Sequence, residues 1–357
     1  MEQNFIYNLF GDGIITYSLF VIIPLTFLLI YALVAILGEL KIASWVQDRL
    51  GPMRTGWKGV LQPLAEVVKL LQKEDIVPDK ANKPLFNLAP YVMFTGAFAA
   101  FAAIPFAFNF VPAHLNIGLF YIFAVGAFGV IGIVMGGWAS NNKYSLLGAM
   151  RGVSQMVSYE IPIALAILAI AALAGSLDLQ VIIHQQSGGL WNWNIFGGSG
   201  PIWKVVIIPF TLALFIIHFV GGLAETNRIP FDIPEGESEI VAGYHTEYSG
   251  MKFAMFFFAE YANMFTVSAL IAIAFLGGWQ SPFGDFLNQP FMQPVWFIGK
   301  ACFLVFVQIW LRWTLPRLRV DQLMYVSWKV MTPLAFVCFV AIAAWSMINY
   351  IYFTPGL

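Results

Sequence analysis

The sequence predicts an all-α, polytopic membrane protein, and its composition and the spacing of its apolar runs lead to this fold class. The 357 residues are 60% hydrophobic and only 10% charged, a balance typical of membrane-embedded chains. A membrane-crossing helix needs about 20 mostly apolar residues, because lipid offers backbone polar groups no partner. We therefore expect a single membrane domain over 1–357, and nothing in the composition points to a nucleic-acid partner.

Eight segments are long and apolar enough to cross the bilayer. They are expected at about 18–41, 90–112, 118–138, 160–175, 203–223, 253–277, 295–315 and 331–353. The fourth is the shortest, because its apolar core covers only 161–174. A full span there requires a helix that starts before Glu160 and continues towards Ile183.

The basic residues are distributed unequally between the two sides of the predicted bundle. Sixteen of the 18 Lys and Arg fall on one side, so that side is expected to be cytoplasmic, with both termini outside. Lys204 and Lys300 are the exceptions, and each stem is expected to reach the membrane interface from the start of a span. Trp191 and Trp193, in a loop rich in Gly and Ser, suit the headgroup layer.

Residues 59–75, between the first two spans, predict an amphipathic helix. Val60, Leu64 and Val67 recur at helical spacing, while Glu66 and Lys69 take the other side. Pro63 falls in its first turn, where proline is tolerated. The helix is expected along the inner membrane surface, and either anchors the loop or borders a binding site for an amphipathic substrate.

The most informative segment is 224–252, here called the acid loop, which separates two apolar runs. It holds six carboxylates against two cations, Arg228 and Lys252. The acids are Glu225, Asp232, Glu235, Glu237, Glu239 and Glu247. Phe231, Ile240 and Val241 interrupt them with side chains that favour burial, so the loop is expected to be packed with its carboxylates close together. Such clustering raises carboxyl pKa values and favours proton exchange near neutral pH. The alternative is that these acids bind basic patches on a soluble partner.

Three further acids lie within or at the ends of spans. Glu260 is placed inside the sixth span, where an ionisable group is costly and normally faces the bundle interior or a water path. Glu160 is expected to open the fourth span, where either a proton role or a favourable interaction with the helix dipole explains it. Glu39, at the inner end of the first span, has an ion pair with Lys41 and a proton role as equal alternatives.

Histidine and cysteine carry less information. His114, His184 and His218 are isolated, and no role is assigned to them, whereas His245 lies in the acid loop beside Tyr244 and is a minor candidate for proton exchange. Cys302 and Cys338 occur singly in the last two spans. They do not form the clustered thiolates that an iron–sulfur or zinc site requires.

Several motifs resemble one family over nearly the whole chain. They are Arg49-Leu-Gly-Pro52 with Arg54, Leu61-Gln-Pro-Leu-Ala-Glu66, Tyr159-Glu160, Ala224-Glu-Thr-Asn-Arg-Ile-Pro-Phe-Asp232, Glu235-Gly-Glu-Ser-Glu239, Glu247-Tyr-Ser-Gly250 and Ala259-Glu-Tyr261. The chain resembles the family of the H subunit of the bacterial proton-translocating NADH:quinone oxidoreductase, respiratory complex I, equivalent to mitochondrial NADH dehydrogenase subunit 1. One departure is Glu39-Leu40-Lys41, where family members commonly have Glu-Arg-Lys. The missing arginine weakens a role for Glu39.

The resemblance implies eight spans and inner loops, 42–89 and 224–252, that enclose a quinone chamber together with partner subunits. The residues it implies at the chamber are Arg49, Arg54, Gln62, Phe231, Asp232 and Arg228. The residues it implies along a proton and coupling path are Glu39, Glu160, Glu225, Glu235, Glu237, Glu239, Glu247 and Glu260.

The resemblance also implies a set of partners and a location. Quinone, either ubiquinone or menaquinone, is expected as substrate, and no FMN, NAD, metal or iron–sulfur cluster is expected in this chain. The expected partners are peripheral-arm iron–sulfur and quinone-site subunits, small membrane subunits, antiporter-like pumping subunits and membrane lipid. The expected location is a bacterial plasma membrane, with the basic loops in the cytoplasm. Three alternatives remain: the equivalent subunit of a membrane-bound hydrogenase or formate-linked complex, a stand-alone cation transporter and a structural anchor.

Overall fold

The computed structural model describes residues 11, 13–199, 202–284 and 286–353, with the side chains of 202, 203, 237, 238 and 350–353 excepted. The described chain is helical, apart from an isolated β-bridge between Ala107 and Phe110. Eight of its helices are long and apolar enough to cross a membrane. This number confirms the sequence prediction, whereas the position of the termini relative to the membrane stays a prediction.

The eight spans follow the chain order. They are the helices Ile14–Val46, Lys83–Ala102, Gly118–Ala139, Lys143–Ala174, Ile208–Glu225, Gly250–Phe275, Gln293–Thr314 and Val320–Asn349. The last contains a π-helical stretch, Val326–Met331, and the helix itself continues to Phe353.

The predicted boundaries of three spans were wrong. The second span begins at Lys83 and ends by Ala102, not at 90 and 112, and Pro105 follows soon after its end. The fourth span begins at Lys143 instead of 160, and the eighth at Val320 instead of 331. An apolar run in the sequence predicts only the part of a helix that lies in an apolar environment. The second and fourth helices continue beyond that part through residues that contact the acid loop, for example Phe86 and Ser145.

The sixth span, Gly250–Phe275, forms the centre of the bundle. In its most apolar window 83% of the residues are buried, far more than in any other span of the described chain. Glycines on the fifth span allow close approach: a Cβ on Gly222 would lie 2.2 Å from Val267 of the sixth span, and one on Gly221 would lie 2.5 Å from Ile163 of the fourth. Small residues at helix interfaces bring backbones together in this way in membrane proteins.

The amphipathic segment forms a helix, Gln62–Gln72, with Pro63 in its first turn, as the sequence predicts. Its apolar side chains Leu61, Leu64, Val68 and Leu71 are exposed in the isolated chain. That exposure matches a face available to lipid or to a partner, and the position of the helix at the membrane surface stays a prediction.

The side chains of Lys204 and Lys300, the two lysines outside the basic side, were predicted to extend towards the membrane interface. In the structure their ammonium groups bind backbone carbonyls of the protein instead. The Lys300 ammonium group donates hydrogen bonds to the carbonyls of Leu276, Gly278 and Gln280 at 2.6–2.9 Å and lies 4.1 Å from the Trp193 ring. The Lys204 ammonium group likewise donates to the carbonyls of Trp191 and Gly198. Trp193 is 7% exposed in the isolated chain, and the position of Trp191 and Trp193 relative to the headgroup layer stays a prediction. Free carbonyls at the ends of helices and in turns supply the partners that bury these charges.

Candidate functional site

The acid loop is packed against the bundle by its apolar residues. Phe231, Ile233, Ile240 and Tyr244 are each at most 3% exposed, and Phe231 packs edge to face on Tyr159 of the fourth span. The hydroxyl of Ser145 donates to the Tyr244 carbonyl at 2.9 Å, which fixes the loop to the same span. The expectation of a packed loop is confirmed for this part, although Val241 is exposed.

Glu39 is the centre of a buried ionic cluster. Its carboxylate accepts hydrogen bonds from Arg228 at 3.3 Å, from the Tyr261 hydroxyl at 2.6 Å and from Arg312. The Arg228 guanidinium also stacks on the Tyr261 ring, 4.6 Å from its centroid. We call Glu39, Arg228, Tyr261 and Arg312 the Glu39 cluster. It joins the first, sixth and seventh spans to the acid loop.

The predicted pairing of Glu39 with Lys41 is wrong. The Lys41 ammonium group donates instead to the carbonyl of Pro52 at 2.6 Å. Burial disfavours the charge of Arg228, but Glu39 and the other nearby acids outweigh this effect and raise the pKa of the guanidinium. Arg228 is therefore a permanent, buried positive charge and does not face anionic lipid.

A second cluster surrounds Glu260. The Tyr244 hydroxyl donates to Glu260 at 2.8 Å, and the Glu260 and Glu235 carboxyls share a hydrogen bond. The His245 Nδ1 atom lies 4.0 Å from Glu235. We call these four residues the Glu260 cluster. Two carboxyls can share a hydrogen bond only if one of them holds a proton, so the pair keeps at least one proton inside the bundle.

The two clusters act on each other electrostatically. Arg228 of the Glu39 cluster attracts Glu260 and Glu235, and Arg312 attracts Asp232, which is close to Glu235. Burial and the Glu260 carboxyl raise the pKa of Tyr244, so its hydroxyl keeps the proton that it donates. A charge change in one cluster therefore alters the proton affinity of the other.

Asp232 stands between the clusters and has an unusual carboxyl group. Its Oδ1 atom is buried and has no hydrogen-bond partner among the described residues. Burial, followed by the neighbouring Glu235, raises the pKa of Asp232 to about 6, although Arg312, Arg317 and Arg228 act in the opposite direction. At neutral pH this buried carboxylate is charged with an incomplete set of partners.

Replacing Asp232 by Asn is expected to stabilise the protein at neutral pH and to have little such effect in acid. The pKa of Asp232 is higher in the folded chain than in the unfolded one, so the folded state binds more protons, and stability falls as the pH rises from the ordinary value of 3.8 to about 6 and changes little above that. Heat-inactivation temperatures of the wild-type and variant proteins, compared at about pH 4 and about pH 7.5, test this expectation. A difference that does not change with pH would contradict it.

Glu160 and Glu225 form a third acidic site. Glu225 is the last residue of the fifth span, and its carboxyl interacts electrostatically with that of Glu160. Glu160 lies in the middle of the helix Lys143–Ala174 and does not open it, so the expected stabilisation by the helix dipole is wrong. An acid at the C-terminal end of a helix opposes the dipole, so Glu225 has no such explanation either.

Two other acids of the loop are not in this buried arrangement. Glu239 is exposed and pairs with Arg151 at 2.6 Å, and this hydrogen bond, with the nearby Arg317, lowers the pKa of Glu239. Glu247 accepts a hydrogen bond from the Asn142 amide at 2.6 Å. The expectation that all the loop carboxylates lie close together is wrong for Glu239, because the short helix Glu237–Ile240 turns its side chain outwards. The Glu237 side chain lies outside the described part of the structure.

The chain matches a known protein family over most of its length. The family model described as NADH dehydrogenase covers residues 18–343. The chain belongs to the NADH dehydrogenase family. The H subunit of NADH-quinone oxidoreductase from Chlorobium luteolum is 55% identical over 333 residues, which cover 90% of this chain and 87% of the relative. The same subunit from Chlorobaculum tepidum is 54% identical over 339 residues, 92% and 91% of the two chains.

Membership of the NADH dehydrogenase family makes the chain a membrane subunit of NADH-quinone oxidoreductase, an enzyme of several subunits. The sequence left open a subunit of a hydrogenase-linked complex and a stand-alone transporter. Both similar proteins are named as a subunit of NADH-quinone oxidoreductase instead. The family resemblance drawn from the motifs is confirmed.

The implied chamber residues of the first inner loop occupy an exposed segment. The Arg49 guanidinium donates to the Gln47 side chain at 2.5 Å, and Gln62 accepts from the Thr55 hydroxyl at 2.7 Å. Arg54 is exposed in the same segment. Their roles remain predictions, because the chamber that the family resemblance implies also needs surfaces from partner subunits.

Sequence reasoning missed three partners in these clusters. Tyr261 and Arg312 hold Glu39, and Tyr244 holds Glu260, yet none was a site candidate. Tyr261 directly follows Glu260 in the Ala259-Glu-Tyr261 motif, which was a usable signal. Arg312 lies 273 residues from Glu39 and had no local signal.

Proposed function

We propose that this subunit forms the membrane-side wall of a quinone chamber and that its buried carboxylates couple quinone reduction to proton translocation. The two electrons come from partner iron–sulfur subunits, and two protons convert the quinone to quinol. The single observation that supports this proposal best is the electrostatic interaction of Arg228 in the Glu39 cluster with Glu235 and Glu260, which joins acids, arginines and a shared proton in one buried network.

The chemistry follows from the charges. Reduction of a quinone in a water-poor cavity builds negative charge that must be neutralised by protons or by nearby cations. Asp232, with a pKa of about 6 and a buried oxygen that has no hydrogen-bond partner among the described residues, is an exchangeable acid of the loop. It is charged at neutral pH; a proton that it takes up lowers the proton affinity of Glu235, and the release of that proton raises it again and favours uptake into the Glu260 cluster.

The same proposal assigns the partners and the location. Residues 42–89 and 224–252 face peripheral-arm iron–sulfur and quinone-site subunits on the basic, cytoplasmic side of a bacterial plasma membrane. Glu160, Glu225 and Glu260 continue the acidic path into the bundle, towards small membrane subunits and the antiporter-like pumping subunits. Arg49, Arg54 and Gln62 line the chamber entrance, where lipid-soluble quinone arrives.

Replacing Glu260 by Gln in the assembled enzyme is expected to reduce quinone reduction and proton pumping together by about 100-fold or more, the lower end of the range for loss of a proton-transferring group. Glutamine keeps the size and an acceptor for the Tyr244 hydroxyl, but it cannot exchange the proton that Glu260 and Glu235 share. Quinone-dependent NADH oxidation and acidification of inverted vesicles measure the effect, and NADH oxidation by a water-soluble acceptor reports on the upstream subunits.

The exposed acid Glu74 provides a matched control for the same chemical change. The Glu74→Gln enzyme is expected to retain wild-type rates, because that side chain is outside the clusters. An enzyme with Glu260→Gln that pumps protons at the wild-type rate would refute the proposed path.

A further inference from the structure

A small cavity lies inside the membrane region, beyond the clusters described above. It has a volume of about 30 Å³ and is enclosed between the third, fifth and sixth spans and their neighbours. Its polar lining comes from His218 and Glu225 of the fifth span and Asn263 and Thr266 of the sixth. Space for one water requires about 10–15 Å³ by the same measure, so this cavity has room for one or two.

The contacts of His218 with the described residues leave its Nδ1 atom without a hydrogen bond. The residue is 1% exposed, and its Nδ1 atom is buried without a hydrogen-bond partner among the described residues. The Phe275 ring packs edge to face on the imidazole, 6.0 Å between centroids, and offers no acceptor. Buried polar atoms are normally satisfied by protein or by ordered water. The cavity beside the imidazole has room for such a water.

The lining meets the needs of a bound water. A buried water typically makes about three hydrogen bonds, and here an imidazole nitrogen, a carboxyl, an amide and a hydroxyl border the same space. Small residues such as Gly96, Ala100 and Gly126 leave this space open where larger side chains would fill it. The size and the polar lining of the cavity therefore suit one or two bound waters within a largely apolar bundle.

The positions of His218 and Glu225 give the cavity a direction. They are seven residues apart on one helix, so they share a face and are separated by about 10.5 Å along the axis. Glu225 is at the end of the span, beside Glu160, and His218 is in its middle. Two waters in the cavity would connect the acidic end of the helix with the interior of the membrane region.

We propose that His218 is a proton-carrying group that extends the path from Glu225 into the middle of the bundle. In the forward step, Glu225 gives a proton to a first cavity water, that water gives one of its protons to a second, and the second gives one of its protons to Nδ1 of His218. The step leaves a carboxylate and an imidazolium separated by the two waters, so the net charge of the site is unchanged. The reverse transfer, or release further along the path, restores the neutral ring. This inference rests on the proposed function, in which Glu225 carries protons.

The test uses His218→Gln in the assembled enzyme. Glutamine retains a donor and an acceptor for water and similar bulk, so a purely structural role would be preserved, but it cannot carry a proton at this position. Proton pumping and coupled quinone reduction are expected to fall about 100-fold or more, with NADH oxidation by a water-soluble acceptor unchanged. His184→Gln, which changes a histidine packed on Phe108 and Trp279 away from the cavity, is the matched control and is expected to retain wild-type rates.

Further variants separate this inference from the function on which it rests. The double variant with Glu225→Gln is expected to be no slower than the slower single variant, because residues of one relay do not lose rate independently. Thr266→Ile fills the cavity without altering His218 and is expected to give the same loss, which keeps the test valid if His218→Gln does not assemble. Wild-type pumping in His218→Gln or in Thr266→Ile, or losses that multiply in the double variant, would overturn the relay. Wild-type pumping in Glu225→Gln alone would instead overturn the proposed function.

Discussion

Replacing Glu39 by Gln is expected to destabilise the protein by about 3–5 kcal/mol, the usual cost of removing one partner from a buried ion pair. Glutamine has nearly the same shape and still offers an oxygen to Tyr261. It removes the negative charge that faces Arg228 and Arg312, and Arg228 is only 4% exposed. The loss of stability is measured as a lower temperature at which this subunit dissociates from the purified enzyme and quinone-dependent activity disappears.

A double variant identifies the cause of this destabilisation. Arg228→Met removes the buried cation but keeps a long apolar side chain, so the Glu39→Gln/Arg228→Met pair is expected to lose less stability than the sum of the two single variants. The surface pair between Arg319 and Asp321, 3.4 Å apart with both side chains exposed, provides the contrast. Asp321→Asn is expected to cost at most about 1 kcal/mol, because an exposed ion pair gains little over hydration. Equal losses for Glu39→Gln and Asp321→Asn would contradict the assignment.

The number of spans was predictable from the sequence, and the partners of the buried acids were not. A long apolar run predicts a span because only a helix satisfies its backbone polar groups in lipid. A carboxylate within such a run, such as Glu260, is expected to face the protein interior because its exposure to lipid is costly. Glu39 binds side chains 189, 222 and 273 residues away along the chain. Local patterns indicated Lys41, which is close in sequence but turns to the Pro52 carbonyl.

The acid loop shows the same division between composition and geometry. Its density of acids predicted a functional segment, and its apolar residues predicted packing, because burial follows from side-chain chemistry. Whether a given side chain faces inwards depends on single turns of the backbone: Tyr244 is buried and bonded to Glu260, whereas Glu239 is exposed and paired with Arg151. His218 was unassigned because one histidine in an apolar run carries no local signal, and the cavity beside it is formed in part by other spans.

Gly148→Ala is expected to displace the acid loop from the fourth span and to reduce quinone reduction and stability together. A Cβ at Gly148 would lie 2.7 Å from the Gly243 Cα atom and 2.9 Å from the Pro234 carbonyl oxygen, and both atoms belong to the loop backbone. Backbone atoms cannot rotate away as a flexible side chain does, so helix and loop have to separate. Overpacking of this kind costs about 1–3 kcal/mol, against a gain of at most about 1 kcal/mol from a better helix former.

The consequence for the site follows from what the same loop segment carries. Glu235 directly follows Pro234, and Tyr244 directly follows Gly243, so a shift of these backbones draws both partners away from Glu260. Gly299→Ala in the seventh span is the matched control, because nothing lies within 4 Å of its Cβ position. That variant is expected to be neutral or slightly stabilising, since only the helix propensity changes. The two variants are expected to differ in melting temperature and in quinone-dependent rate. Equal values for Gly148→Ala and Gly299→Ala would show that Tyr244 and Glu235 stay at Glu260 without close packing of the loop on the fourth span.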